Sequence, residues 1–146
     1  MRHHLILRVV TKLLIGVIML FALYVQFHGD YSPGGGFQAG VIMSVAFIIY
    51  SVVFSLEDVQ KVLPPWVVHK LMAVGLLLYA LTGVYSMFTG YNYLDYDAIS
   101  PHHPVHGQHY GIIVIELGVG ITVTAVMVTV FYAFASRTPP MDDEAW

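Results

Sequence analysis

Residues 28–40 read His-Gly-Asp-Tyr-Ser-Pro-Gly-Gly-Gly-Phe-Gln-Ala-Gly, and they stand between two long apolar runs. Proline fixes its own φ and favours an extended conformation at the residue before it. The three glycines that follow lose more backbone entropy on folding than other residues, so such a run suits a sharp turn or a close approach of other atoms. The stretch therefore predicts a structural motif at the mouth of an apolar helix, built from Pro33, Gly34, Gly35, Gly36, Phe37 and Gly40.

The apolar character of the motif's flanks extends over the whole chain. Of 146 residues, 58% are hydrophobic and 10% are charged, whereas about 25% are charged in an ordinary soluble domain. Four segments have the roughly 20 residues that a helix needs to cross the hydrocarbon core of a bilayer. They cover about residues 9–27, 37–56, 66–88 and 109–134. The sequence thus predicts an all-α integral membrane protein with four transmembrane helices.

The basic residues are confined to one side of this arrangement. All six lysines and arginines fall at the N-terminus, at the C-terminus, or around the connection between the second and third helices. Cytoplasmic loops of membrane proteins carry an excess of such residues. We therefore expect both termini in the cytoplasm, with residues 28–36 and 89–108 on the opposite side.

Glycines spaced four residues apart open the second and fourth predicted helices, at Gly36 and Gly40 and at Gly107 and Gly111. This spacing lets helix backbones approach closely in lipid. On the fourth helix the small residues continue as a stripe at Gly118, Thr122, Ala125 and Thr129. Two interpretations are open: the faces pack helices of this chain together, or at least one packs against another subunit.

Glu116 is the one acidic residue inside a predicted span. It lies about 10 Å from His109, the expected start of the fourth helix, and about 140° around that helix from the glycine stripe. A carboxylate at such a depth is costly unless it is protonated, paired or exposed to a wet cavity. Glu116 and His28 are therefore candidates either for an ion or proton path or for a buried polar contact. The lack of a second intramembrane acid or lysine favours the structural role.

Four histidines lie between residues 102 and 109, and the spacing of His102, His106 and His109 allows a metal site on a helix. Pro104 and Gly107 interrupt that segment, and no acid or cysteine accompanies it at ligand spacing. We therefore expect no metal and no other cofactor. No nucleophile–base pairing points to an enzyme, and no basic patch points to nucleic acid.

The Pro-Gly-Gly-Gly-Phe run at 33–37 resembles a motif of the MrpB/MnhB family, one of the subunit families of the Mrp-type multisubunit cation/proton antiporters. That family also has a histidine shortly before the motif, which His28 matches, and an acidic residue in the last helix, which Glu116 matches. The resemblance covers essentially the whole chain and implies one MnhB-like membrane domain over residues 1–146. Parts of membrane-bound hydrogenases and of relatives of respiratory complex I are similar too.

The resemblance implies an accessory subunit of an Na⁺/H⁺ antiporter complex in a bacterial or archaeal cell membrane. In such complexes the large subunits carry the proton relay, and the MrpB/MnhB protein is needed for assembly and activity. Its partners would be the other hydrophobic subunits and the lipid bilayer, with Na⁺ and H⁺ as the transported ions. Two further hypotheses are a related subunit of a hydrogenase or complex I-like assembly, and a small self-assembling channel or transporter that uses Glu116. A membrane enzyme with a histidine-bound metal is the third.

Overall fold

The computed structural model describes residues 5–29 and 34–137, and within these residues it contains helices and connections but no strand. Four of the helices are long and apolar enough to cross a membrane. This confirms the predicted all-helical membrane fold. In chain order the elements are α1 (Leu5–Phe27), α2 (Gly36–Val53), α3 (Leu56–Val62), α4 (Pro65–Phe88), a 3-10 turn (Tyr96–Ile99) and α5 (Pro104–Ala135).

The largest difference from the predicted boundaries is at the start of α5, which begins at Pro104 and not near residue 109. Pro104 was expected to interrupt a helix, and this was wrong because it occupies the first turn. A proline is tolerated there, since the backbone N–H that it lacks has no partner in the first turn of a helix. Gly107 likewise lies inside the helix and does not break it.

The short helix α3 was not predicted, and local interactions explain it. The Ser55 side chain accepts a hydrogen bond from the backbone N–H of Asp58 at 3.1 Å, which caps the N-terminus. Glu57 and Asp58 lie in the first turn and Lys61 in the last, the arrangement that complements the helix dipole. Lys61 also donates a 3.0 Å hydrogen bond to Asp58, which raises the pKa of the lysine.

The four long helices form a row in the order α1, α2, α5, α4. Helix α5 packs closely against both α2 and α4, while α1 packs mainly against α2. A closed four-helix bundle would also bring α1 and α4 together, and these two helices make no substantial contact. The last helix of the chain is therefore central, and α1 and α4 are the flanks.

The glycines at the start of α2 form its crossing with α5. A Cβ atom built on Gly36 would overlap the backbone oxygen of Glu116, and one on Gly40 would lie 2.7 Å from the backbone oxygen of Gly120. Thr124 then donates a 3.1 Å hydrogen bond across the interface to the backbone oxygen of Gly40. The helices run parallel here, and the Gly36 and Gly40 pair packs inside this chain.

The small-residue stripe of α5 faces α4 and the loop that follows it. A Cβ atom on Gly118 would lie 2.9 Å from the backbone oxygen of Gly75, and one on Gly75 would overlap the Thr122 hydroxyl. Nearer the start of α5, a Cβ atom on Gly111 would overlap the ring of Tyr96 in the 3-10 turn. The interpretation of packing within the chain is thus confirmed for these glycines, although Gly111 receives a loop and not a helix.

The described basic residues gather at one end of the row, here called the basic end. Arg8 and Lys12 of α1 lie over the ring of Phe54 at the end of α2, at 5.0 and 5.4 Å from the ring centroid. Lys70 lies 4.8 Å from the centroid of the Trp66 ring. The glycine motif and residues 89–103 are at the other end, the loop end. The positive-inside rule continues to predict that the basic end is cytoplasmic.

A small core closes the basic end around α3. It consists of buried residues from α3, α4 and α5: Val59, Val68, Ala125, Val128 and Tyr132. The Tyr132 hydroxyl donates a 2.9 Å hydrogen bond to the backbone oxygen of Leu63. This contact ties the end of α5 to the connection between α3 and α4.

Candidate functional site

The glycine motif adopts a conformation that requires glycine at its centre. Gly35 precedes α2 and has φ +107° and ψ −171°, a region that residues with a Cβ atom essentially avoid. Its backbone N–H donates to the oxygen of Val25 in α1 at 3.3 Å, and its own oxygen accepts from Ala39 at 3.0 Å. The motif therefore links the end of α1 to the start of α2. Pro33 lies outside the described residues, and the Phe37 side chain is exposed.

The carboxyl group of Glu116 lies against this glycine motif. A Cβ atom built on Gly29 would overlap both carboxyl oxygens, and one on Gly35 would lie 2.6 Å from Oε1. The backbone of Glu116 is equally close to Gly36, as described above. The end of α1, the start of α2 and the middle of α5 thus meet at this half-buried carboxyl. Glycine at positions 29, 35 and 36 leaves the space for it.

Glu116 lies further from the start of its helix than the sequence indicated. Twelve residues, or about 18 Å, separate it from Pro104, because α5 begins earlier than predicted. At the same time the carboxyl is level with Gly36, the first residue of α2. Helices α4 and α5 continue past that level by roughly 13–18 Å, so the loop end of the molecule is stepped. The glycine motif forms the lower level of this step.

His28 lies in the turn directly after α1, beside Gly29. Its ring stacks on that of Tyr24, with 4.9 Å between the centroids. Since the Glu116 carboxyl lies against Gly29, His28 and Glu116 lie in the same region of the molecule.

Gln26 belongs to this region as well, although it is not among the residues expected from the sequence. Its side chain is 8% exposed and points toward α5, where a Cβ atom on Gly120 would overlap its amide oxygen. Within residues 5–29 and 34–137 it makes no hydrogen bond. The signal that could have revealed it is the isolated amide next to the end of an apolar segment.

The histidines before and within α5 do not gather around a common point. His106 and His109 are on the helix, His102 precedes it, and the rings of His103 and His106 meet edge to face at 5.9 Å. The described residues contain no group of three or more His, Cys, Asp or Glu side chains that could hold a metal ion. Nearby, Gln108 donates a 2.7 Å hydrogen bond to Asp97, which fastens the loop to α5.

Tyr96 completes the loop end by covering the start of α5. Its ring fills the space that glycine leaves at position 111, and its backbone oxygen approaches Gly107. Burial raises the pKa of the Tyr96 phenol, so the side chain stays neutral at physiological pH. Residues 96–111 therefore form a packed cap and not a loose connection.

Among the described residues of the four spans, Glu116 is the single acidic side chain, and the lysines and arginines lie at the opposite end. One carboxyl enclosed by backbone can hold a proton or a hydrogen bond at a fixed place. It does not form a series of exchangeable groups across the bilayer by itself. The carboxyl and the glycines around it form a close contact at a helix crossing.

Comparison with known proteins identifies the family to which this chain belongs. Residues 6–129 match the model of a family described as a domain related to the MnhB subunit of Na⁺/H⁺ antiporter. A Staphylococcus haemolyticus protein, provisionally named antiporter subunit mnhB2, is 37% identical over 132 residues, covering 89% of this chain and 93% of that protein. A Staphylococcus aureus strain Newman protein of the same name matches to the same extent. The chain belongs to the family of membrane domains related to the MnhB subunit of Na⁺/H⁺ antiporters.

Proposed function

We propose that this chain is an accessory membrane subunit of a multisubunit Na⁺/H⁺ antiporter. It serves the assembly of the complex and the coupling of its ion movements, and it does not carry a complete ion path of its own. The observation that carries the proposal is the packing of the glycine motif around Glu116, where three helices are held together at one point. The names of the relatives support the antiporter as the setting.

Glu116 and His28 have a structural role in this proposal. The carboxyl fills the space left by Gly29 and Gly35, and so fixes the α1–α2 connection to the middle of α5. His28 lies in the same region, but the described spans contain no other acid that would continue a relay toward the basic end. This carboxyl lies at the level where α1 ends and α2 begins, and its role can be tested by substitution of Glu116.

The large apolar surface of the flanking helices supports a subunit that works among partners. Helix α1 buries a single narrow stripe, formed by Thr11, Ala22 and Gln26, and leaves its other faces exposed. Lipid and neighbouring subunits are the environments available to these faces. None of the contacts described above favours a self-assembling channel or an enzyme, and the two staphylococcal relatives are named as antiporter subunits.

The direct test is the mass of the assembly that contains this chain. The chain is tagged in its native membrane, solubilised gently, and examined by native mass spectrometry. We expect several different hydrophobic subunits in fixed ratio, with Na⁺-dependent proton flux after reconstitution. A particle made only of copies of this chain would contradict the proposal and support the self-assembling channel.

A further inference from the structure

Two basic side chains of α1 gather on one aromatic ring at the basic end. The Arg8 guanidinium lies 5.0 Å and the Lys12 ammonium 5.4 Å from the centroid of the Phe54 ring. The two residues are one turn apart on the helix, so their Cβ atoms are about 5–6 Å apart and their like charges repel each other. Phe54 is 8% exposed, so the ring is a buried and fixed support for both charges.

Acidic side chains of the described residues do not neutralise these two charges. Within the part of the chain that the structure describes, neither Arg8 nor Lys12 forms an ion pair. The acidic residues of the nearby α3 include Asp58, which is paired with Lys61 at 3.0 Å. Arg8 and Lys12, here called the basic pair, therefore concentrate two positive charges at one point of the surface.

The basic pair also lies at the polar boundary of the membrane-spanning region. After Lys12, α1 has no charged residue up to its end at Phe27. The apolar helix α2 ends at Val53, and α3 follows directly with charged side chains, of which that of Lys61 is 73% exposed. Charged groups avoid the hydrocarbon core, so the charges of Arg8 and Lys12 lie at the depth of the lipid head groups.

We propose that the basic pair binds the phosphate group of an anionic phospholipid such as phosphatidylglycerol. The Arg8 guanidinium offers N–H donors in a planar fork that matches phosphate oxygens, and the Lys12 ammonium adds a second charge. A zwitterionic lipid brings an ammonium group of its own, which the basic pair repels. An anionic lipid therefore relieves the repulsion between the two residues better than a zwitterionic one. Lipid binding at this place does not depend on antiport activity.

The test measures lipid affinity by native mass spectrometry of the purified protein, together with any subunits that accompany it. Phosphatidylglycerol and phosphatidylethanolamine are titrated separately, and an apparent Kd is obtained for each lipid. We expect phosphatidylglycerol to bind more tightly. Arg8→Gln and Lys12→Gln should each weaken its binding about fivefold, the factor expected for one basic residue near an anionic membrane surface.

Two control variants separate the basic pair from the general charge of the basic end. Lys70→Gln removes one positive charge from the same end, but Lys70 lies over a different ring, that of Trp66, so this variant should leave the affinity for phosphatidylglycerol unchanged. Arg8→Lys keeps the charge of the basic pair and should retain most of the affinity that Arg8→Gln loses.

Three results would overturn the proposal. One is equal affinity for the two lipids, or an equal loss in Lys70→Gln, because either shows that no specific site exists. The second is displacement of the lipid by millimolar inorganic phosphate, which would assign the site to a soluble phosphate. The third is a gain in affinity when Asp142, Asp143 and Glu144 are replaced by the corresponding amides. That gain would show that this acidic stretch of the chain occupies the basic pair.

Discussion

Replacement of Gly35 by alanine tests whether the glycine motif is required for its backbone conformation. The φ and ψ angles of Gly35 lie in a region that is essentially restricted to glycine, where other residues lose about 1–3 kcal/mol. The new methyl group would also lie 2.6 Å from Oε1 of Glu116. That oxygen belongs to a side chain that also contacts Gly29, so the contact can add to the loss that the backbone conformation causes.

The assay is thermal unfolding of the purified protein with its accompanying subunits, together with the yield of the assembled complex. At about 2–4 °C per kcal/mol for a chain of this size, Gly35→Ala should lower Tm by roughly 2–12 °C. Gly16→Ala is the matched control, because a Cβ atom at that position meets nothing within 4 Å and alanine favours a helix. Equal stability of the two variants would refute the argument from backbone conformation.

A second pair of variants separates the backbone term from the contact with the carboxyl. Glu116→Ala removes the atoms that the new methyl group would meet, but it leaves the conformation of residue 35 unchanged. If the backbone dominates, Gly35→Ala should cost nearly the same with and without the carboxyl. A large coupling in this double-mutant cycle would instead show that the contact with Glu116 decides the cost.

Three further outcomes follow from contacts described above. Glu116→Gln should retain most of the Na⁺-dependent proton flux in vesicles that hold equal amounts of assembled complex, with Glu116→Ala lower; loss of flux in the Gln variant at normal assembly would place the carboxyl on the ion path. Tyr132→Phe removes the hydrogen bond to the backbone of Leu63 and should cost about 0.5–1.5 kcal/mol of stability, and an unchanged unfolding midpoint would show that this bond contributes nothing. A cysteine at Asp95 should react with a membrane-impermeant reagent from outside intact cells, whereas reaction only from the cytoplasmic side would reverse the proposed orientation.

The sequence was sufficient for the number and type of the membrane-spanning helices, because a long apolar run has few alternatives to a helix in lipid. It also identified Gly36, Gly40 and Gly118 as positions of close packing, since the spacing of small residues reflects the geometry of a helix surface. The 140° between Glu116 and the glycine stripe correctly separated the two faces of α5. These successes all concern periodicity within one helix.

The sequence was less informative where a result depends on contacts between distant segments. The order α1, α2, α5, α4 in the row cannot be obtained from the periodicity of any one helix. The packing of Tyr96 on Gly111 depends on how the 3-10 turn folds back, and the environment of Gln26 depends on Gly120 in another helix. The early start of α5 was missed because proline at the first turn of a helix and proline as a helix breaker look alike in an apolar sequence.

The central position of the last helix has a consequence for how the chain is made. The end of α2 leaves the ribosome 82 residues before the end of α5, which at 5–20 residues per second corresponds to roughly 4–16 s of synthesis. During that interval the glycine face of α2 is in the membrane without the helix that covers it, and the Gly75 face of α4 joins it once α4 is complete, 47 residues before the end of α5. Insertion of the first three spans therefore produces an open intermediate, and a nascent chain halted before residue 104 exposes both faces to other helices and to quality-control proteases.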